Sequence, residues 1–131
     1  MEEYGKKLDE MNSAVESALP EGEECFVYYS VYNMENGLPV NNLHEVAVEG
    51  KVIFTQNHDG FWGAGISYQS DVIENPTWLD VAVLANEMIK IVGDYHHIFL
   101  EGVSPVYVAT INTYVRKVVG DVQYYEFDMG S

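Results

Sequence analysis

Pro76-Thr77-Trp78-Leu79-Asp80-Val81-Ala82-Val83-Leu84-Ala85-Asn86-Glu87-Met88-Ile89-Lys90-Ile91-Val92-Gly93 is the stretch from which the fold is read. Thr77 and Asp80 form a capping box behind Pro76, and Gly93 supplies a stop, so the spacing predicts a helix over residues 77–92. Leu79, Ala82, Val83, Ile89 and Val92 cover one face, and Val81, Leu84, Met88 and Ile91 cover much of the rest. A helix apolar nearly all round must be buried on more than one side. In a chain of 131 residues, part of that burial is expected from a second subunit.

The segments on either side of this helix read as strands, joined by short turns. Residues 24–33 have strong β propensity on both alternating faces, which predicts a central strand covered on both sides. Lys51–Gln56 and residues 61–69 read as a hairpin about Asp59-Gly60, with Gly63 and Gly65 marking a bulge. Residues 95–103 read as a further strand. Residues 106–118 and 122–129 read as a hairpin about Gly120-Asp121.

Two further helices are expected. Residues 3–19 place Tyr4, Leu8, Met11, Val15 and Leu19 in one apolar stripe, ended by Pro20 and Gly22. Residues 42–49 carry a second capping box, Asn42 with Glu45, and read as a short helix despite Val46 and Val48. Asn36-Gly37 and Pro39 mark a loop. Strands adjacent in sequence usually pair antiparallel. The expectation is one α+β domain over residues 1–131: an antiparallel sheet of five to six strands with two or three helices packed on it.

Composition narrows the functional classes. There are 21 acids against 6 bases, a net charge of −15, which disfavours direct binding to nucleic acid or anionic lipid. It fits solubility, attraction of cations or a basic partner. Ten tyrosines suit half-wet strands and subunit contacts. The lone Cys25 leads into an apolar run and reads as a buried thiol. With no signal-like start and no long apolar run, a cytosolic protein is the simplest expectation, with no membrane partner.

The densest group of chemistry-bearing residues is Asp94, His96, His97 and Glu101. Imidazole and carboxylate are common metal ligands and proton carriers. On a strand His96 and His97 would point to opposite faces, while His97 and Glu101 would share one. Closing a metal site would need His58, Asp59 or His44 from elsewhere. Neither a His-Glu-x-x-His motif nor a nucleophile motif is present, so no catalytic residue, metal or cofactor is assigned. His58, Asp94, His96, His97 and Glu101 stand as candidate ligand-binding residues. Phe61, Trp62, Tyr68 and Trp78 stand as candidate interface anchors, since Trp and Tyr are favoured there.

The run from Gly93 to Gly102, with Met129-Gly130-Ser131 at the C-terminus, resembles a pattern in small acidic proteins of marine cyanobacterial viruses and related ocean sequences. The resemblance implies a viral or marine microbial origin and a reason for the acidity, and no activity.

The leading expectation is a non-enzymatic interaction or accessory module that binds a protein partner or itself as a homodimer. A small-ligand or metal-binding protein centred on the Asp94 cluster, and an acidic DNA mimic, are the alternatives.

Overall fold

The computed structural model describes residues 2–56 and 67–131. Two helices, α1 (Glu2–Ala18) and α2 (Trp78–Val92), accompany eleven strands among the described residues. In the first half of the chain these are β1 (Tyr28–Tyr29), β2 (Asn33–Glu35), β3 (Leu38–Val40), β4 (Lys51–Gln56), β5 (Tyr68–Gln69) and β6 (Ile73–Glu74). In the second half they are β7 (Phe99–Pro105), β8 (Tyr107–Ala109), β9 (Tyr114–Arg116), β10 (Val118–Val119) and β11 (Val122–Gly130).

The fold is α+β, but its sheet is mixed rather than antiparallel. The main sheet runs β1-β7-β11-β4-β5, with β6 also on β4 and β10 also on β11. β11 pairs antiparallel with β7 and parallel with β4, and β1 pairs parallel with β7. The sheet is mixed because β11 inserts between β7 and β4, pairing antiparallel with one and parallel with the other. Strand β4 therefore reaches its parallel partner only through the long crossover that contains α2, the usual requirement of parallel pairing.

Helix α2 forms as its end signals dictate. Thr77 Oγ1 accepts from the Asp80 N–H and the Asp80 carboxylate accepts from the Thr77 N–H. Gly93 closes the helix at φ 75°, a left-handed conformation that costs glycine little, and its N–H donates to the Ile89 carbonyl. Val81, Ala82, Ala85, Met88, Ile89 and Val92 are buried within the chain itself. They belong to one core cluster with Met11 and Val15 of α1 and Val52, Phe54, Leu100 and Phe127 of the sheet. Most of the helix's apolar surface is thus covered without a second subunit, although Ile91 remains exposed.

The expected central strand over 24–33 shrinks to the two residues of β1, at the sheet edge. Asparagine side chains take the backbone groups that a longer strand would have paired. Asn86 Oδ1 accepts from the N–H groups of Phe26 (2.6 Å) and Val27 (3.1 Å), and its amide donates to the Glu24 carbonyl. Asn12 Oδ1 accepts from the Tyr29 N–H, and Asn42 Nδ2 donates to the Val31 carbonyl. Helix α1 thereby caps the open edge of β1, which would otherwise present unpaired donors to another chain.

Residues 42–49 form no helix. Asn42 is buried, accepting from the Tyr29 hydroxyl at 2.5 Å. The Glu45 and Leu43 carbonyls accept from the Trp78 and Leu79 N–H groups, so this segment serves the exposed first turn of α2 instead of making its own. The loop expected at Asn36-Gly37 is the turn of the small β2–β3 hairpin. Strand β4 forms as expected, and β5 returns antiparallel to it; the Asp59-Gly60 turn lies outside the described residues. No helix among the described residues is long and apolar enough to cross a membrane.

Candidate functional site

The loop after α2 carries the residues of greatest chemical interest. Strand β7 begins at Phe99, so the two histidines sit in a turn before it and not on a strand. Asp94, buried at the end of α2, organises that turn: one carboxylate oxygen accepts from the His96 N–H at 3.0 Å. The other lies 2.8 Å from Nδ1 of His97, which fixes the imidazole orientation. His96 is exposed, whereas His97 is half-buried and turns inward. The two histidines diverge as expected, but because of the turn rather than strand alternation.

A β-bulge brings Glu101 to the same place. Asp128 pairs with Gly102 and Met129 with Leu100, so Glu101 is the extra residue of β7. Bulges of this kind re-aim a side chain, and here the core positions Val103 and Leu100 keep their places on either side of it. The Glu101 carboxyl lies over the backbone of Gly130, where a Cβ would come within 2.5 Å of it. A side chain at position 130 would require the Glu101 carboxylate to move.

Asp94, His97 and Glu101 line one cleft of about 470 Å³, joined by Glu126, Asp128 and Gln56 over a floor of Met88, Val92 and Phe127. Asp128 accepts from the Ser104 hydroxyl at 2.8 Å, and Gln56 Oε1 accepts from the Phe127 N–H. Three of the five candidate ligand residues therefore share a cleft, His96 lies outside its lining, and His58 lies outside the described residues. Glu126 and Asp128 were not singled out in sequence because they are remote from the histidines and meet them only through β7–β11 pairing. Among the described residues no three His, Cys, Asp or Glu side chains converge as metal ligands would. The chemistry on offer is a carboxylate-rich cleft with one oriented imidazole, suited to a cationic group or to proton exchange.

The candidate interface residues fare differently. Tyr68 is in the core, 3% exposed, with its ring on Phe127 at 6.1 Å. Burial pushes its phenol well above the ordinary range, with the Glu87 charge adding to the effect. It presents no surface to a partner, which corrects its expected role as a contact anchor. Trp78 is half-buried against the core at the start of α2. Phe61 and Trp62 lie outside the described residues. Cys25 is only half-buried, and its thiol is raised by burial and then by the charge of Glu16, as an unreactive thiol would be.

The surface that stands out is one the sequence reading took for a continuous strand. Residues 106–118 instead fold back on themselves: β8 and β9 pair antiparallel, with Tyr107 opposite Arg116, Val108 opposite Val115 and Ala109 opposite Tyr114. Thr110 and Thr113 close the turn through backbone and hydroxyl bonds, leaving Ile111 at the tip, 98% exposed. The missed signal is the Thr-Ile-Asn-Thr tetrad, weak beside an Asn-Gly turn. Both faces of this two-stranded ribbon are apolar and both are exposed, Tyr107 and Tyr114 on one and Val108 and Val115 on the other. Seven of the twelve exposed large apolar residues, among those described, fall between Tyr107 and Val119. Where the ribbon leaves the body, Arg116 donates to the Tyr125 hydroxyl at 2.7 Å and Lys117 stands 4.3 Å above the Tyr124 ring.

No protein family matches this chain, and comparison with curated proteins and with solved structures finds no match either.

Proposed function

We propose that this protein is a non-enzymatic interaction module that works through the β8–β9 arm. The observation that carries the reading is the concentration of exposed apolar side chains on both faces of one ribbon. Single exposed apolar residues need no explanation, but a contiguous patch marks a binding surface. An isolated two-stranded ribbon is at best marginally stable in water, so a partner that buries it also stabilises it. A photo-crosslinking amino acid at position 111 should give a protein adduct in cells that make this protein. The same group at exposed position 21 should not. The absence of any adduct from position 111 would remove this reading.

The cleft supports a second reading, a binding site for a small organic cation such as an amine or guanidinium. Asp94, Glu101, Glu126 and Asp128 around the oriented His97 are what favour it. Titration with alkyl amines and guanidines, followed by the His97 ring resonances, should then give saturable shifts that Glu101→Gln weakens. Unchanged resonances at millimolar ligand would rule it out.

A further inference from the structure

We infer that the partner of the β8–β9 arm is a second copy of this chain, each arm lying across the acid-rich body of the other copy. The inference rests on the reading of the arm as a contact surface and adds its occupant. Charge complementarity carries it. From Gly102 to Gly120 there is not one acid, and Arg116 and Lys117 are the charged residues. All 21 acids lie elsewhere in the chain, with only Lys6, Lys7, Lys51 and Lys90 beside them. The arm is thus an apolar, basic projection from a strongly acidic body, and neither of its bases forms an ion pair among the described residues.

This distribution distinguishes two ways of pairing the copies. Arm against arm would bring like charges together. Arm against body brings Arg116 and Lys117 of one copy to the carboxylates of the other while covering Tyr107, Ile111 and Tyr114. Opposite potentials of this kind steer association and suppress the wrong pairing. Two such contacts related by a two-fold axis close a dimer, leaving no arm free to propagate a filament. Two acidic bodies repel each other over the remaining surface, which restricts their approach to the arms.

The test is sedimentation velocity on the purified full chain at micromolar concentrations, at ionic strengths of about 0.02 M and about 0.5 M. The expected result is a species of twice the 14.8 kDa chain mass that weakens as salt rises. Ile111→Asp, at a tip with no packing to lose, should weaken the association constant about tenfold or more. Arg116→Glu with Lys117→Glu should weaken it further at low salt. A monomer at both salts would overturn the inference, as would a dimer unaffected by Ile111→Asp. A dimer strengthened by salt would overturn the arm-on-body arrangement. Crosslinks from position 111 that reach only a different protein would overturn the second copy as occupant while leaving the arm a contact surface. No crosslink at all would sink both.

Discussion

The body and the arm of this molecule use the same residue types in opposite ways. In the body, Val81, Ile89, Leu100 and Phe127 are buried and most of the described acids face water. In the arm, Tyr107, Val108, Ile111 and Tyr114 face water and acids are missing. The difference is one of layers. Strands of the main sheet share a core with the two helices, whereas β8 and β9 form a separate two-stranded sheet whose large apolar side chains are exposed. Apolar β-formers in a ribbon with no covering layer stabilise little within their own chain, so their value lies outside it. What this teaches is that β propensity and burial are separate properties. The residues that make a strand form do not ensure that it is covered.

The sharpest way to break that comparison is to truncate one side chain in each region. Phe54, fully buried and stacked on Phe127 at 5.2 Å, should cost about 3–5 kcal/mol as Phe54→Ala in urea unfolding, by lost transfer energy and the cavity left behind. A loss under about 1 kcal/mol would mean that the sheet and α2 are not packed as described.

The next largest effect is expected where a polar side chain substitutes for a strand partner. Asn86→Ala orphans the N–H groups of Phe26 and Val27 and the Glu24 carbonyl, for about 2–3 kcal/mol. Amide exchange at residues 26 and 27 should accelerate along with the loss of stability. Unchanged exchange there would show that Asn86 is not what replaces the strand.

A pH titration sharpens the body's side of the comparison. Burial raises the folded phenols of Tyr29 and Tyr68 above their ordinary value of 10.0, mainly by penalising the charged form. Both states bind the phenolic proton below that value, so stability is unaffected there. Above it the unfolded chain releases the proton first and stability falls as pH rises. Unfolding followed from neutral pH to above pH 10 should show this decline, and Tyr68→Phe should make it shallower.

The smallest effect on folding is expected in the arm. Ile111→Asp should change the unfolding free energy of the monomer by no more than about 0.5 kcal/mol, measured at concentrations too low for association. A large loss would place Ile111 in a packed environment and erase the contrast between the two regions.

Parts of this design were legible in the residues alone. The capping box at Thr77 and Asp80 and the stop at Gly93 are local, and both formed, because end signals act within one helical turn. The stripe of α1 and the propensity of β4 also acted as read, and the Gly120-Asp121 turn joins β10 to β11 as its residues indicate. In the cleft, Asp94, His97 and Glu101 could be named because they are close in sequence. Glu126 and Asp128 could not, because their approach depends on which strand pairs with β7.

What the sequence by itself determined was therefore short-range: where α2 begins and ends, that strands surround it, that the chain is acidic, and that its histidines sit among carboxylates. What only the tertiary structure decided was long-range. It placed β11 between β7 and β4 and so made the sheet mixed. It gave backbone groups of Phe26, Val27, Tyr29 and Val31 to the side chains of Asn12, Asn42 and Asn86, and left only the two residues of β1 as strand. It also left one ribbon of apolar residues uncovered. The physical reason is that periodicity and capping report a residue's nearest neighbours along the chain. Pairing partners, bulges and the layer above a strand depend on residues tens of positions away, whose meeting no local pattern encodes.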